Sequence, residues 1–270
     1  MVLCTLLATS TAEAQLRPPH YDVSTVIVGN AVIGGVSAAM QAKLSGKPFA
    51  KALLGGFLGG ALHGSGKTLS PGAPLAGYAL GAAGVSIAAN AGRGAGYLDE
   101  VVLPIGPGRL RITREPRARI DATLNAFESA MLARRLFQPG TRFDLTQSLL
   151  AGTVVLRTSA ELFNGAGSRA AGITSGSVIL LSDHASKPEE TLKHERIHAH
   201  QAWFIQELWG RPVESSLRRT PVGRLIPRWL ELGVTMPALQ EIERQTLGSD
   251  GPFRSWREGE AESLEGPPRR

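Results

Sequence analysis

The sequence predicts an α+β fold in which a glycine-rich, mainly helical N-terminal region precedes a small sheet carrying one long helix. Three observations lead there. Residues 23–98 contain no acidic residue and 17 of the 32 glycines, many at four-residue spacing such as Gly56, Gly60 and Gly64. From Asp99 onward, short β-rich runs alternate with turn signals. Residues 186–209 then read as one continuous helix. At 270 residues, the chain buries a core without disulfide or metal staples. Its 43% hydrophobic and 19% charged content excludes both a disordered chain and a polytopic membrane protein. The net charge of +6 comes almost wholly from scattered arginines, without basic runs interleaved with aromatics, so no nucleic-acid partner is expected. The single cysteine, Cys4, excludes a disulfide framework and a cysteine-based metal site.

Residues 1–14 read as a signal peptide lacking a basic start, with an apolar stretch and a small-x-small ending at Ala12-Glu13-Ala14. The expectation is an exported protein, periplasmic or membrane-associated. Residues 15–98 form the glycine-rich apolar region. Its uncharged runs, 23–42, 52–66 and 68–92, place small residues on one helix face, which lets helices approach closely. A bilayer core takes about 20 apolar residues, and the first run reaches that length. Because its apolarity rests on Ala and Gly, the reading favours a soluble or peripheral layer over insertion, with residues 23–92 as the candidate membrane contact.

Residues 99–265 form the second domain, and 266–270 a disordered tail. Residues 100–113 predict a hairpin about a Gly-Pro turn. Residues 117–136 carry Ile120, Leu124, Phe127, Met131 and Leu132 at helical spacing, predicting an amphipathic helix ended by Pro139-Gly140. Residues 153–158 and 175–183 predict strands, and 178–181 is a candidate to pair with an extended substrate peptide. Ser186 and Glu189 then form a capping box around Pro188, opening a helix expected to run through Trp209 and stop at Gly210, before Pro212.

That helix contains His194-Glu195-Arg196-Ile197-His198, the pattern HExxH. At about 100° per residue, His198 lies one turn beyond His194 on the same face, so both imidazoles can converge on one ion, with Glu195 beside them. Two neutral imidazoles and a third protein ligand suit one Zn2+ ion, whose fourth position holds a water of pKa near about 7. Glu195 is then the general base that takes the water's proton as it attacks a carbonyl. Gln201 and Phe204 stand where a metzincin would need Gly and His, so that branch fails. With no histidine after His200, the third ligand is a downstream carboxylate. The candidates are Glu207, Glu214, Glu231, Glu241, Glu243, Asp250, Glu258, Glu260, Glu262 and Glu265. Glu207 lies about 20 Å along the axis from His194, too far to share the ion. Gln201 falls on the metal face, where it can line the cleft or orient a ligand, and His200 is a further candidate for the cleft.

HERIHAHQ, followed about 60 residues later by EGEAESL, resembles the zincin-like bacterial metallopeptidases of the gluzincin type. Over residues 150–265 the resemblance implies a zincin-like domain with His194 and His198 as metal ligands, Glu195 as base and Glu260 as third ligand, with Glu231 the alternative. Gly259 departs from the pattern, since glycine weakens a helix by about 1 kcal/mol relative to alanine. The expected activity is a zinc-dependent metalloendopeptidase acting on a peptide or protein substrate. The alternative is a membrane-associated structural protein with a glycine-zipper hairpin and an inactive zincin-like domain.

Overall fold

The computed structural model describes residues 21–114, 117–163, 169–233, 237–238, 241 and 252–265. The expected signal peptide and C-terminal tail lie outside the described residues.

The fold is mixed, with helices and sheets in separate layers, as an α+β reading requires. The acid-free runs fold as α1 (Val23–Leu44), α2 (Phe49–Leu69) and α3 (Pro74–Gly92). Asp22 caps α1 by accepting the Thr25 amide at 2.7 Å, and Pro74 opens α3, where a missing N–H costs nothing. Glycines let the backbones touch: a Cβ at Gly59 would stand 2.5 Å from the Ala88 nitrogen and the Gly84 oxygen of α3. The outer side of this layer is apolar and exposed, with Val28, Val32, Val36 and Met40 along α1 and Leu54 and Leu58 on α2. By length and composition, α1 and α3 each suffice to cross a membrane, but two-thirds of α3's apolar window is already buried inside the protein.

β1 (Glu100–Ile105) and β2 (Gly108–Thr113) form the expected hairpin, turning at Gly106 with φ +56°. The next segment corrects the sequence reading. Residues 117–136 are not one helix: β3 (Arg119–Asn125) pairs antiparallel with β2, and only then does α4 (Ala126–Leu136) begin, capped by Asn125. The apolar spacing misled because this sheet has a polar inner face. Arg109 and Arg111 point inward from β2, whereas Ile120 and Leu124 of β3 are exposed. β10 (Leu230–Glu231) adds in parallel to β3.

The second sheet has the order β4-β5-β9-β8, made of β4 (Thr141–Phe143), β5 (Val154–Thr158), β8 (Gly172–Ser175) and β9 (Val178–Ser182). Between them lie α5 (Leu145–Ala151) and a small pair, β6 (Leu162–Phe163) with β7 (Arg169–Ala170). β9 is fully buried between β5 and β8. Residues 178–181 are therefore an inner strand with no side open to a peptide, and β8 is the edge.

The HExxH helix is α6 (Pro188–Ile205). Its cap differs from expectation: Lys187 occupies the N-cap position without a side-chain bond, leaving Pro188 at the first turn. The chain does not stop at Gly210 either. A π-helical turn (Gln206–Gly210) passes directly into α7 (Arg211–Leu217), which accepts Pro212 in its first turn. One side of α6 packs with Val155, Ile179 and Leu181 of the sheet, through Leu192 and Ala199. Phe204, with Leu208 of the π turn, packs on Val85 and Ala88 of α3. The motif helix is thus held between the sheet and the glycine-rich layer. α8 (Pro252–Glu265) lies against α6 and closes the site.

Candidate metal centre

Burial of the apolar sides of α6 leaves the HExxH face turned to α8. His194 and His198, one turn apart, bring their Nε2 atoms to 3.0 Å, and a carboxylate oxygen of Glu258 on α8 stands 3.4 Å from each. These three residues form a group that can hold a metal ion. Burial pushes the Glu258 carboxyl up, but the imidazoles of His194 and His198 beside it outweigh burial and hold the group well below the usual carboxylate range.

The third position is a correction to the sequence reading. Glu260 does not join the imidazoles. Its Oε2 accepts from Lys67 Nζ at 2.6 Å and Gln201 Nε2 at 2.8 Å, and its Oε1 from Asn30 Nδ2 at 2.6 Å. Positions two apart on a helix differ by about 200°, so one segment cannot turn both carboxylates to the same ion. Glu231 is also committed elsewhere, accepting from Arg111 at 2.8 Å and Thr123 at 2.9 Å. Burial pushes Glu231 up, but Arg111 holds it below its ordinary value. Glu207 takes both guanidinium branches of Arg111 at 3.0 Å.

Glu195 is held under the edge of the sheet, where Oε2 accepts from Thr174 Oγ1 of β8 at 2.6 Å. Gly172 of β8 leaves room for it, since a Cβ there would stand 2.9 Å from Glu195 Cγ. A cleft of about 100 Å3 is bordered by Thr174, Ser175 and Gly176 of the edge strand, and by Phe127, His198 and Arg257. That volume takes a few waters at about 30 Å3 each.

Gln201 lies against a candidate ligand, with its Oε1 2.9 Å from His198 Nδ1. His200 does not reach the cleft. It is buried against the helical layer, 4.7 Å from the Trp203 ring and 5.8 Å from His63 of α2. Burial, reinforced by Lys67 and Arg196, pushes it down to about 3. Sequence reasoning missed Thr174, Asn30 and Lys67, because short polar residues on a distant strand and helices carry no motif.

Comparison with protein-family models, with curated proteins and with solved structures finds no match.

Proposed function

We propose that the protein is a zinc-dependent metallopeptidase of zincin-like architecture, with His194, His198 and Glu258 as ligands and Glu195 as general base. The observation that carries this reading is the donor triangle with edges of 3.0, 3.4 and 3.4 Å. Bonds of about 2.0–2.1 Å to a tetrahedral ion set its ligand atoms about 3.3–3.4 Å apart. Two imidazoles and one carboxylate are also a donor set that zinc accepts in hydrolytic sites. Bound there, zinc would lower the pKa of a water towards about 7 and polarise a substrate carbonyl. Glu195 takes the proton of the attacking water and returns it to the leaving amine. Thr174 occupies Oε2, which leaves Oε1 for the transfer. A peptide substrate would approach by extending the sheet at the β8 edge, which brings its carbonyl beside α6. Export of the chain belongs to the same proposal.

The test is the pair Glu195→Gln and His194→Ala, assayed on a broad peptide library with zinc content measured in parallel. The first is expected to keep zinc and lose hydrolysis, and the second to lose both. Full hydrolysis by either variant overturns the assignment, and stoichiometric zinc without turnover in the wild type favours a metal-stabilised structural protein instead.

A second feature favours contact with a membrane surface without crossing it. The exposed stripe of α1 and α2 ends at a turn carrying Leu44 and Phe49 together with Lys43, Lys47 and Lys51, all exposed. Such a turn suits an anionic interface. α3 meanwhile packs on β1, α5 and α6, which leaves no lipid-facing ring around it. Co-sedimentation with phosphatidylglycerol vesicles, lost in Val32→Glu/Val36→Glu, is expected; equal recovery of the wild type with and without vesicles contradicts it.

A further inference from the structure

The glycine-rich layer sends two polar side chains into the protein, and both end on the same carboxylate. Lys67 of α2 is fully buried, bonded to Asn30 Oδ1 at 2.8 Å and Glu260 Oε2 at 2.6 Å, with the Trp256 ring 5.2 Å from its Nζ. Asn30 of α1 is also fully buried and donates to Glu260 Oε1 and to the Val26 carbonyl. A buried ion pair is weak support for stability, because an apolar pair of the same volume often serves as well or better. Burial indeed pushes the Lys67 ammonium below its ordinary value, against the pull of Glu260.

We propose that Glu260, fixed by Lys67 and Asn30, is a positioning residue that sets the tautomer of the metal ligand His198 through Gln201. The inference rests on the metal-site reading above. Gln201 Nε2 faces two groups that only accept, Glu260 Oε2 at 2.8 Å and the Arg257 carbonyl at 3.1 Å. The amide nitrogen must therefore point that way, and Oε1 must point back. Oε1 meets two donors, Arg257 Nε at 3.3 Å and His198 Nδ1 at 2.9 Å. An oxygen facing Nδ1 requires the proton there, so neutral His198 keeps its lone pair on Nε2, the atom turned to His194 and Glu258. Without the carboxylate, only the Arg257 carbonyl and Nε hold the amide in this orientation, and the turned-over amide gains population. Its NH2 would then face Nδ1 and move the proton to Nε2, where it blocks a metal. The helical layer is by this account part of the site, reaching the ligand through Glu260 and Gln201.

The decisive experiment records the nitrogen shifts of His198 in 15N-histidine-labelled, metal-free protein at alkaline pH, then zinc affinity by competition with a chromophoric chelator. Wild-type protein is expected to carry the His198 proton on Nδ1. Lys67→Met/Glu260→Leu, which removes the pair at similar volume, is expected to move proton population to Nε2 and weaken zinc by about 10- to 100-fold. Gln201→Leu is expected to weaken it equally, and the combined variant no further. A wild-type His198 protonated on Nε2 overturns the proposal whether or not any variant folds. So does a folded Lys67→Met/Glu260→Leu protein with unchanged tautomer and zinc affinity. A wild-type chain that has the Nδ1 proton yet takes up no zinc upholds the tautomer lock and overturns the zinc reading instead.

Discussion

Glu258 and Glu260, two residues apart on α8, face different partners: Glu258 meets both imidazoles at 3.4 Å, and Glu260 is sealed against Lys67 at 2.6 Å. Their substitutions are expected to separate metal binding from stability. Glu258→Ala, at a partly exposed carboxylate, should abolish zinc binding and shift the metal-free urea midpoint little. Glu260→Ala strands the Lys67 charge in the interior and should cost about 3–5 kcal/mol by urea unfolding. Equal stability losses in the two would contradict the division.

Arg111 ties the first sheet to the end of the motif helix. It is buried, bonded to Glu207 at 3.0 Å and Glu231 at 2.8 Å, and these carboxylates outweigh burial and hold its pKa above the ordinary value. Arg111→Met removes the guanidinium both acids share, leaving Glu207 only Arg211 at 3.9 Å, and should destabilise the protein by about 3–5 kcal/mol. Chemical denaturation checks this, and a loss under about 1 kcal/mol would mean the network contributes little.

The glycines of the helical layer are not equivalent. At Gly59 a methyl group would meet the backbone of α3 at 2.5 Å, whereas at Gly29 nothing lies within 4 Å. Gly59→Ala should therefore destabilise by about 1–3 kcal/mol. Gly29→Ala, a helix position with open space, should stabilise by about 0.4–1 kcal/mol. Thermal unfolding of the two variants is expected to move in opposite directions.

Acid should loosen the contact between α6 and the helical layer. His63 and His200 are fully buried, and burial pushes both below their ordinary value, His200 to about 3, with Lys67 adding repulsion at each. In the unfolded chain each takes a proton near about 6.5. As pH falls below that, the unfolded state binds protons that the folded state refuses, so stability declines by up to about 1.4 kcal/mol per pH unit for each histidine. For His200 the decline ends near its folded value of about 3. Urea midpoints between neutral and acid pH should fall, and His200→Leu should flatten the slope. An unchanged slope in that variant would assign the acid sensitivity elsewhere.

The parts of the fold set by local pattern were legible in the sequence. The uncharged runs 23–42, 52–66 and 68–92 fall largely on the three close-packed helices, with four-residue glycine spacing marking the second and third, and HExxH placed His194 and His198 together on one face. What failed depended on partners distant in sequence. Ile120 and Leu124 kept a helical period, yet the segment pairs as a strand with β2, placing Thr123 and Asp121 opposite its inward Arg109 and Arg111. Pro212 looked like a stop, but a π turn carried the chain into α7. The choice between Glu258 and Glu260 turned on Asn30 and Lys67, more than 190 positions earlier in the chain.

The proposed zinc site consists of His194, His198 and Glu258. Metal analysis with competitive zinc titration of purified wild-type, His194→Ala, Glu258→Ala and Glu231→Gln proteins tests it most directly. One zinc per chain is expected in the wild type, with loss in His194→Ala and Glu258→Ala and retention in Glu231→Gln. A wild-type protein that binds no zinc, or a Glu258→Ala protein that binds it as tightly as the wild type, would contradict it.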